Sequence, residues 1–147
     1  MSNNLPGVID IIISVRAIII NQKDKILLVR RSKDNKTNVG KWEFVGGKME
    51  QNTTISQTLQ REVFEEVGIK IAKIPETINT TTTNRIKIPG YENILNLCIS
   101  IPLYLDYTPK IKLSHEHDDY VWISRKKALK MDLKDEVKQS LVTLDFL

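Results

Sequence analysis

Three glutamates lie close together in the stretch REVFEEVG, residues 61–68. In an α-helix, at about 100° per residue, Glu62, Glu65 and Glu66 fall within an arc of about 100° beside an apolar face. On an exposed helix this arrangement costs only about 0.2–0.5 kcal/mol per pair, so a solvated acidic face is one interpretation. In a cleft, two carboxylates ~5 Å apart repel by roughly 3 kcal/mol. A bound divalent cation is then the sharper hypothesis.

A glycine pair precedes this predicted helix. Gly46 and Gly47, followed by Lys48, give a backbone that can approach a ligand closely. A glycine turn that leads to a helix N-terminus is suited to phosphate, although a turn without function is the alternative. The basic residues of the first third of the chain would attract the same ligand class, since it is anionic, and a solvated basic face is the alternative.

Aromatic and imidazole side chains supply weaker candidates. Trp42 and Phe44, and further along Tyr91, are candidates for stacking on a base, and each has a structural role as its alternative. His115 and His117 stand two residues apart, but a structural zinc site needs about four ligands. We therefore interpret both histidines as loop residues.

The composition fits one globular domain over residues 1–147. With 41% hydrophobic and 27% charged residues, the chain can bury a core but not two. Asp10 and Arg16 interrupt the N-terminal apolar run, so neither a membrane span nor a signal peptide is predicted, and we expect a cytoplasmic protein. The single cysteine, Cys98, lies in an apolar stretch and is expected to be a buried thiol. The net charge of +4, without a basic helical stripe, does not favour a nucleic-acid polymer as partner.

The pattern along the chain mixes strands and helices. Thr54 and Gln57 form a predicted capping box, and the helix is expected to end at Gly68. Apolar residues recur at helical spacing from Asp132, which predicts a final helix with a core-facing stripe. Several β-rich segments precede and follow the first helix, with a turn expected at 89–93. The predicted strands are residues 10–20, 25–31, 41–48, 69–78, 93–107 and 120–124. The predicted class is α+β, with helices packed against a mixed sheet.

Residues 46–69 resemble the Nudix box. In that pattern a glycine is followed by five residues, a glutamate, seven further residues and then Arg-Glu-apolar-x-Glu-Glu-x-Gly-apolar. The segment 113–124 is similar to a Glu-His-x-x-Tyr-x-Trp segment of many Nudix hydrolases, and WEFVGGKME is similar to MutT-type members. The resemblance implies an α/β/α Nudix sandwich with a mixed β-sheet between helices. The matching box residues are Gly47, Arg61, Glu62, Val63, Glu65, Glu66, Gly68 and Ile69.

One box position departs from the family pattern. Thr53 stands where the family has its first glutamate, which commonly supports the arginine of the box. Arg61 then needs another partner, and Glu65, Glu50 and Glu43 are the candidates.

The resemblance also implies a mechanism. Glu62, Glu65, Glu66 and Glu116 are expected to bind Mg²⁺, with Mn²⁺ as an alternative, since hard cations prefer oxygen ligands. Glu62 or Glu116 would act as the base. Glu62, Glu65, Glu116 and Arg61 are the expected catalytic residues, whereas Gly46, Gly47, Lys48, Trp42 and Phe44 are expected to contact the substrate.

The expected reaction is hydrolysis of a nucleoside triphosphate to release pyrophosphate, including oxidised nucleotides as substrates. Dinucleoside polyphosphates and ADP-ribose are alternative substrates. Two other classes stay open: a nucleotide-binding regulatory module without catalysis, and an interaction domain whose acidic face contacts a basic partner. The state of assembly, monomer or homodimer, is also open.

Overall fold

A mixed sheet forms the centre of the molecule. The computed structural model describes residues 9–74, 80–88 and 90–144. Within these residues, seven strands join in the order β3-β2-β1-β6-β5, while β4 pairs with β1 and β7 pairs with β2. The strands are β1 (Ile11–Ile20), β2 (Ile26–Arg31), β3 (Trp42–Glu43), β4 (Val45–Lys48), β5 (Thr80–Ile88), β6 (Tyr91–Tyr104) and β7 (His117–Ile123).

Strand β1 has neighbours on both edges. It runs parallel to β6, from the pair Ile11 and Leu95 to the pair Ile20 and Tyr104. On its other edge it pairs antiparallel with β4, and only the pair Ile20 and Ile26 joins it to β2. In the predicted hairpin of the first two strands, β1 and β2 therefore pair only next to the turn that joins them. Because β1 is covered on both faces, its sequence is almost continuously apolar.

Each face of the sheet has its own hydrophobic core. Helix α1 (Ile55–Val67) packs its residues Leu59 and Val63 against one face. On the other face lie α2 (Arg125–Ala128) and α3 (Asp135–Thr143). The prediction of an α+β fold with a mixed sheet between helices is confirmed. No helix in the described ranges is long and apolar enough to cross a membrane.

The ends of α1 agree with the sequence prediction. Thr54 caps the helix: its hydroxyl accepts from the Gln57 N–H at 3.1 Å, and the Gln57 side chain accepts from the Thr54 N–H at 3.0 Å. Gly68 closes the helix with φ 75°, in the left-handed region. Both signals are local in sequence, which is why they predict the ends well.

The last helix begins later than predicted. Its N-terminal neighbours are held to β3, since the N–H of Trp42 donates to the Asp132 carbonyl at 2.9 Å and the N–H of Lys134 to the Trp42 carbonyl at 3.0 Å. That backbone pairing keeps Leu133 extended, and α3 begins at Asp135. The predicted core stripe is confirmed, because Leu133, Val137, Leu141 and Leu144 are all buried. The short helix α2 has no counterpart among the sequence predictions.

One predicted strand is absent from the described residues. Residues 69–74 form no strand, although Ile69 and Ile74 are buried in the core beneath α1. The apolar pattern there reflects an irregular segment that packs on the core, and residues 75–78 of the prediction lie outside the described residues. The turn between β5 and β6 is present, with Gly90 at φ 86°. Pro89 lies outside the described residues. Cys98 is buried, as predicted.

Candidate active site

The carboxylate of Glu62 packs directly against the glycine turn. A Cβ atom added to Gly47 would lie 2.6 Å from Glu62 Cδ and 2.7 Å from its Oε1. Gly47 is held in β4, where it pairs with Val15 of the central strand. Only a residue without a side chain leaves room for Glu62 in this position.

Arg61 connects Glu62 to a second acid. Its Nη2 donates to Glu62 Oε1 at 3.0 Å, and its Nη1 donates to Glu50 Oε2 at 3.2 Å. Of the partners predicted for Arg61, Glu50 is the one whose carboxylate it contacts. Glu43 was a wrong candidate, because its carboxylate binds other cations.

Several charges act on Glu62. Partial burial raises its pKa, and the adjacent guanidinium of Arg61 opposes that rise. The carboxylates of Glu65 and Glu116 raise the pKa of Glu62 further, which shows that both lie within its electrostatic reach. Both of these residues are exposed. The fold therefore brings three predicted acids into one neighbourhood.

Glu66 points into the protein instead. It is 4% exposed, and its Oε2 accepts from the Gly46 N–H at 3.2 Å. Burial raises its pKa well above the usual range, against the opposing effects of Arg16 and of the Gly46 hydrogen bond. Gly46 also accepts from Arg16 Nη1 at 2.9 Å. The backbone N–H and carbonyl of Gly46 thus both serve internal contacts, and the phosphate contact predicted for this glycine has no support here.

The backbone of the Glu116 segment is fastened to the end of β2. The Glu116 carbonyl accepts from the Ser32 N–H at 2.9 Å and from Asn35 Nδ2 at 2.7 Å. The Ser32 hydroxyl donates to the His115 carbonyl at 2.6 Å. These bonds fix the position from which Glu116 extends.

The donor chemistry at Glu62 suits a hard divalent cation. Carboxylate oxygens from Glu62, Glu65 and Glu116 are the ligand type that Mg²⁺ takes, and Glu62 is only partly buried. The described residues contain no group of three or more His, Cys, Asp or Glu close enough to share one ion. Rotation of exposed glutamate side chains would be needed to close such a group.

The predicted substrate contacts divide into exposed and buried residues. Lys48 is exposed at the end of β4. Trp42 is partly buried, and the Arg30 guanidinium lies 5.7 Å from its ring centroid. Phe44 has no exposed surface and packs in the core under α3. Its predicted contact with substrate is therefore corrected: the ring is a core residue. The side chain of Tyr91 lies outside the described residues.

A buried ionic cluster beside the site was not predicted. Glu43 is 2% exposed; its Oε1 lies 2.9 Å from His117 Nε2 and 3.1 Å from Arg31 Nη1, and its Oε2 lies 3.2 Å from Lys134 Nζ. Burial alone would raise the pKa of Glu43, but the His117 hydrogen bond and the charges of Arg16, Lys134 and Arg31 hold it well below its usual range. His117 begins β7 and is buried, so it is not the loop residue we expected. The one sequence signal that could have indicated a buried acid is the place of Glu43 between two aromatic residues, Trp42 and Phe44, in a predicted strand.

A cavity of about 220 Å³ opens on the α3 side of the sheet. It lies between β5, the first turn of α3 and the loop before β3. The hydroxyl of Thr82 is buried there without a hydrogen-bond partner among the described residues. The polar residues that line the cavity include Asn38, Lys41, Thr82, Asn84, Lys134 and Glu136.

Comparisons with known proteins agree with this architecture. A family profile for the NUDIX domain matches residues 11–144. The chain is 34% identical over 122 residues to the CTP pyrophosphohydrolase of Escherichia coli, and the match covers 82% of each chain. It is 42% identical over 55 residues to the 8-oxo-dGTP diphosphatase of Buchnera aphidicola, which covers 37% of this chain and 42% of that one. The crystal structure of the MutT protein from Methanosarcina mazei superposes with a TM-score of 0.68 at 29% identity, covering 94% of this chain and 93% of that one.

Proposed function

Because the chain belongs to the NUDIX family of hydrolases, we propose that it hydrolyses nucleoside triphosphates to the monophosphate and pyrophosphate, with Mg²⁺ as cofactor and Mn²⁺ as an alternative. The observation that carries the proposal is the Glu62 carboxylate, held against Gly47 and within electrostatic reach of Glu65 and Glu116. The similarity to a CTP pyrophosphohydrolase over 82% of the chain supports the substrate class. We take residues 1–147 as one domain that acts on free nucleotides in the cytoplasm.

The acids have different tasks in this proposal. Glu62, Glu65 and Glu116 hold the metal, with Glu66 as a further ligand whose buried carboxylate also fixes Gly46. Bound metal would neutralise the pyrophosphate and promote ionisation of the attacking water. Glu62 or Glu116 accepts the proton of that water.

Cations and the cavity complete the proposed substrate site. Lys48 is exposed beside Gly47 and would contact a phosphate. The cavity on the α3 side would hold the nucleobase, because its side chains provide both hydrogen-bond donors and acceptors. Trp42, which is partly buried beneath the Arg30 guanidinium, would contact the substrate outside this cavity.

The test is a substrate panel with product analysis. We would measure phosphate and pyrophosphate release from CTP, GTP, dGTP, 8-oxo-dGTP, diadenosine tetraphosphate and ADP-ribose, with saturating Mg²⁺ and with EDTA. We expect pyrophosphate from a triphosphate, abolished by EDTA. Glu65→Gln should lower the rate by about 10²- to 10⁴-fold, whereas Asp106→Asn, which removes an exposed charge after β6, should leave it unchanged.

Other outcomes would replace the proposal. Preferred turnover of diadenosine tetraphosphate or ADP-ribose would assign one of the two alternative substrate classes. Nucleotide binding without metal-dependent turnover would assign a regulatory module. If the chain bound no nucleotide and Mg²⁺ did not change its stability, the remaining hypothesis would be an interaction domain.

A further inference from the structure

The guanidinium of Arg61 bridges two carboxylates with separate nitrogens. Nη2 contacts Glu62 at 3.0 Å while Nη1 contacts Glu50 at 3.2 Å. Since each nitrogen carries its own N–H donors, both contacts are made at once. Glu50 is exposed, whereas Glu62 is partly buried against Gly47. The chain of contacts therefore runs from the surface to the proposed metal ligand.

The turn that presents Glu50 is tied to helix α1. The Thr53 hydroxyl donates to the Glu50 carbonyl at 2.7 Å, and its oxygen lies 3.2 Å from the hydroxyl of Thr58. Thr58 is fully buried in α1, one helical turn before Arg61. Asn52 has φ 62°, a conformation that asparagine tolerates better than most residues. Thr53 thus acts through the backbone of Glu50 rather than by contacting Arg61.

We propose that Glu50 is a positioning residue, which holds Arg61 and through it keeps Glu62 in place for metal binding. The inference rests on the proposed function of Glu62. With Glu50 present, the guanidinium is shared between two acids and its charge is partly offset. Without Glu50, Arg61 would be free to turn both nitrogens onto Glu62, and its full positive charge would oppose a divalent cation there.

The first measurement is the affinity for Mn²⁺ in the absence of nucleotide, determined by electron paramagnetic resonance. Glu50→Gln should weaken Mn²⁺ binding by about two- to fivefold, the range expected from one charge at a partly exposed site. Asp106→Asn, with the same loss of one exposed negative charge, should bind Mn²⁺ like the wild type. Both variants should keep the wild-type melting temperature, because an exposed ion pair adds little stability.

The second measurement separates turnover from substrate affinity. At limiting Mg²⁺, Glu50→Gln should lower kcat about two- to fivefold with the KM for the nucleotide unchanged, and added Mg²⁺ should restore part of the loss. Thr53→Val, which loses the hydroxyl, should show a smaller loss of the same kind. Thr53→Ser keeps the hydroxyl and should match the wild type.

A double variant tests whether Glu50 acts through Arg61. Lys at residue 61 keeps the charge but has one nitrogen, so Arg61→Lys breaks the bridge. Adding Glu50→Gln to Arg61→Lys should then cause little further loss, whereas independent roles would make the two losses multiply. Multiplying losses, or wild-type Mn²⁺ affinity in Glu50→Gln, would overturn the inference. If the wild-type chain turned over no nucleotide, the proposed function would fail, while the Mn²⁺ titrations would still decide the role of Glu50.

Discussion

Gly47 and Glu62 are in such close contact that a Cβ atom on residue 47 would lie 2.6 Å from the carboxylate carbon of Glu62. Strand β4 is anchored to β1, so residue 47 cannot move away without breaking the sheet. Any side chain at residue 47 must therefore displace the carboxylate.

Gly47→Ala is expected to lower kcat about 100-fold, because a shift of roughly 1 Å in a catalytic group costs that much. Its stability should fall by about 1–3 kcal/mol from overpacking. Steady-state kinetics and urea unfolding measure the two effects. Gly90→Ala is the matched control: at φ 86° it introduces backbone strain, but no atom lies within 4 Å of its Cβ. It should lose stability and keep kcat, and equal losses of activity in the two variants would contradict this prediction.

Asn35 should affect catalysis through the Glu116 segment. Its side chain donates to the Glu116 carbonyl at 2.7 Å, so Asn35→Ala loosens the segment without removing the acid. We expect kcat to fall about tenfold, less than the roughly 10²- to 10⁴-fold of a lost general base. Thr37→Ala, in the same loop and exposed, serves as the control in the same kinetic assay. A Thr37 variant as slow as the Asn35 variant would argue for a general effect of the loop.

Asn84 tests the cavity as the site of the nucleobase. It lines the cavity, and its Oδ1 accepts from Asn96 Nδ2 at 3.0 Å, which fixes the side chain. Asn84→Ala should raise the KM for the preferred nucleotide about tenfold, or roughly 1.4 kcal/mol, and leave kcat near the wild-type value. Thr81→Ala on the same strand should change neither constant. An unchanged KM and an unchanged order of preference among bases would place the nucleobase elsewhere.

The ionic cluster around Glu43 is expected to be important for stability. Glu43→Gln leaves the partly buried cations Arg31 and Lys134 without their buried carboxylate, a change that costs about 3–5 kcal/mol in other buried pairs. Urea unfolding at neutral pH measures the loss. Asp132→Asn removes the partner of Lys41 at 3.1 Å in an exposed pair, and should cost less than about 1 kcal/mol. Similar losses in the two variants would show that the burial of Glu43 adds nothing.

The same cluster predicts a pH dependence. The pKa of Glu43 is lowered in the folded protein, so its contribution to stability is complete above the unfolded value of about 4.3. It is lost as pH falls through the folded pKa, when the native carboxylate finally takes up a proton. The free energy of unfolding of the wild type should therefore decline below about pH 5 more steeply than that of Glu43→Gln. His117, Arg16, Arg31 and Lys134 act on Glu43, and the difference between the two curves isolates its share. Parallel curves would contradict the assigned pKa direction.

Features that depend on residues close in sequence were predicted correctly. The caps of α1 depend on residues within one or two turns, and the spacing of Glu62, Glu65 and Glu66 follows from the helix alone. Phe44 was misjudged because strand neighbours alternate between faces, and both faces of this sheet are buried. The Glu43 cluster draws on strands and a helix far apart in sequence. No local pattern indicates that its charges meet.

The parallel pairing of β1 with β6 has a consequence for folding. Residue 11 lies beside residue 95, and residue 20 beside residue 104, so the centre of the sheet closes a loop of most of the chain. Contacts of such high contact order make folding slow, since the entropy of loop closure must be overcome before the contacts form. During synthesis, β1 and the glycine turn leave the ribosome long before β6, the strand that pairs with β1. We expect the acidic site to acquire its final geometry only after residue 104 has emerged.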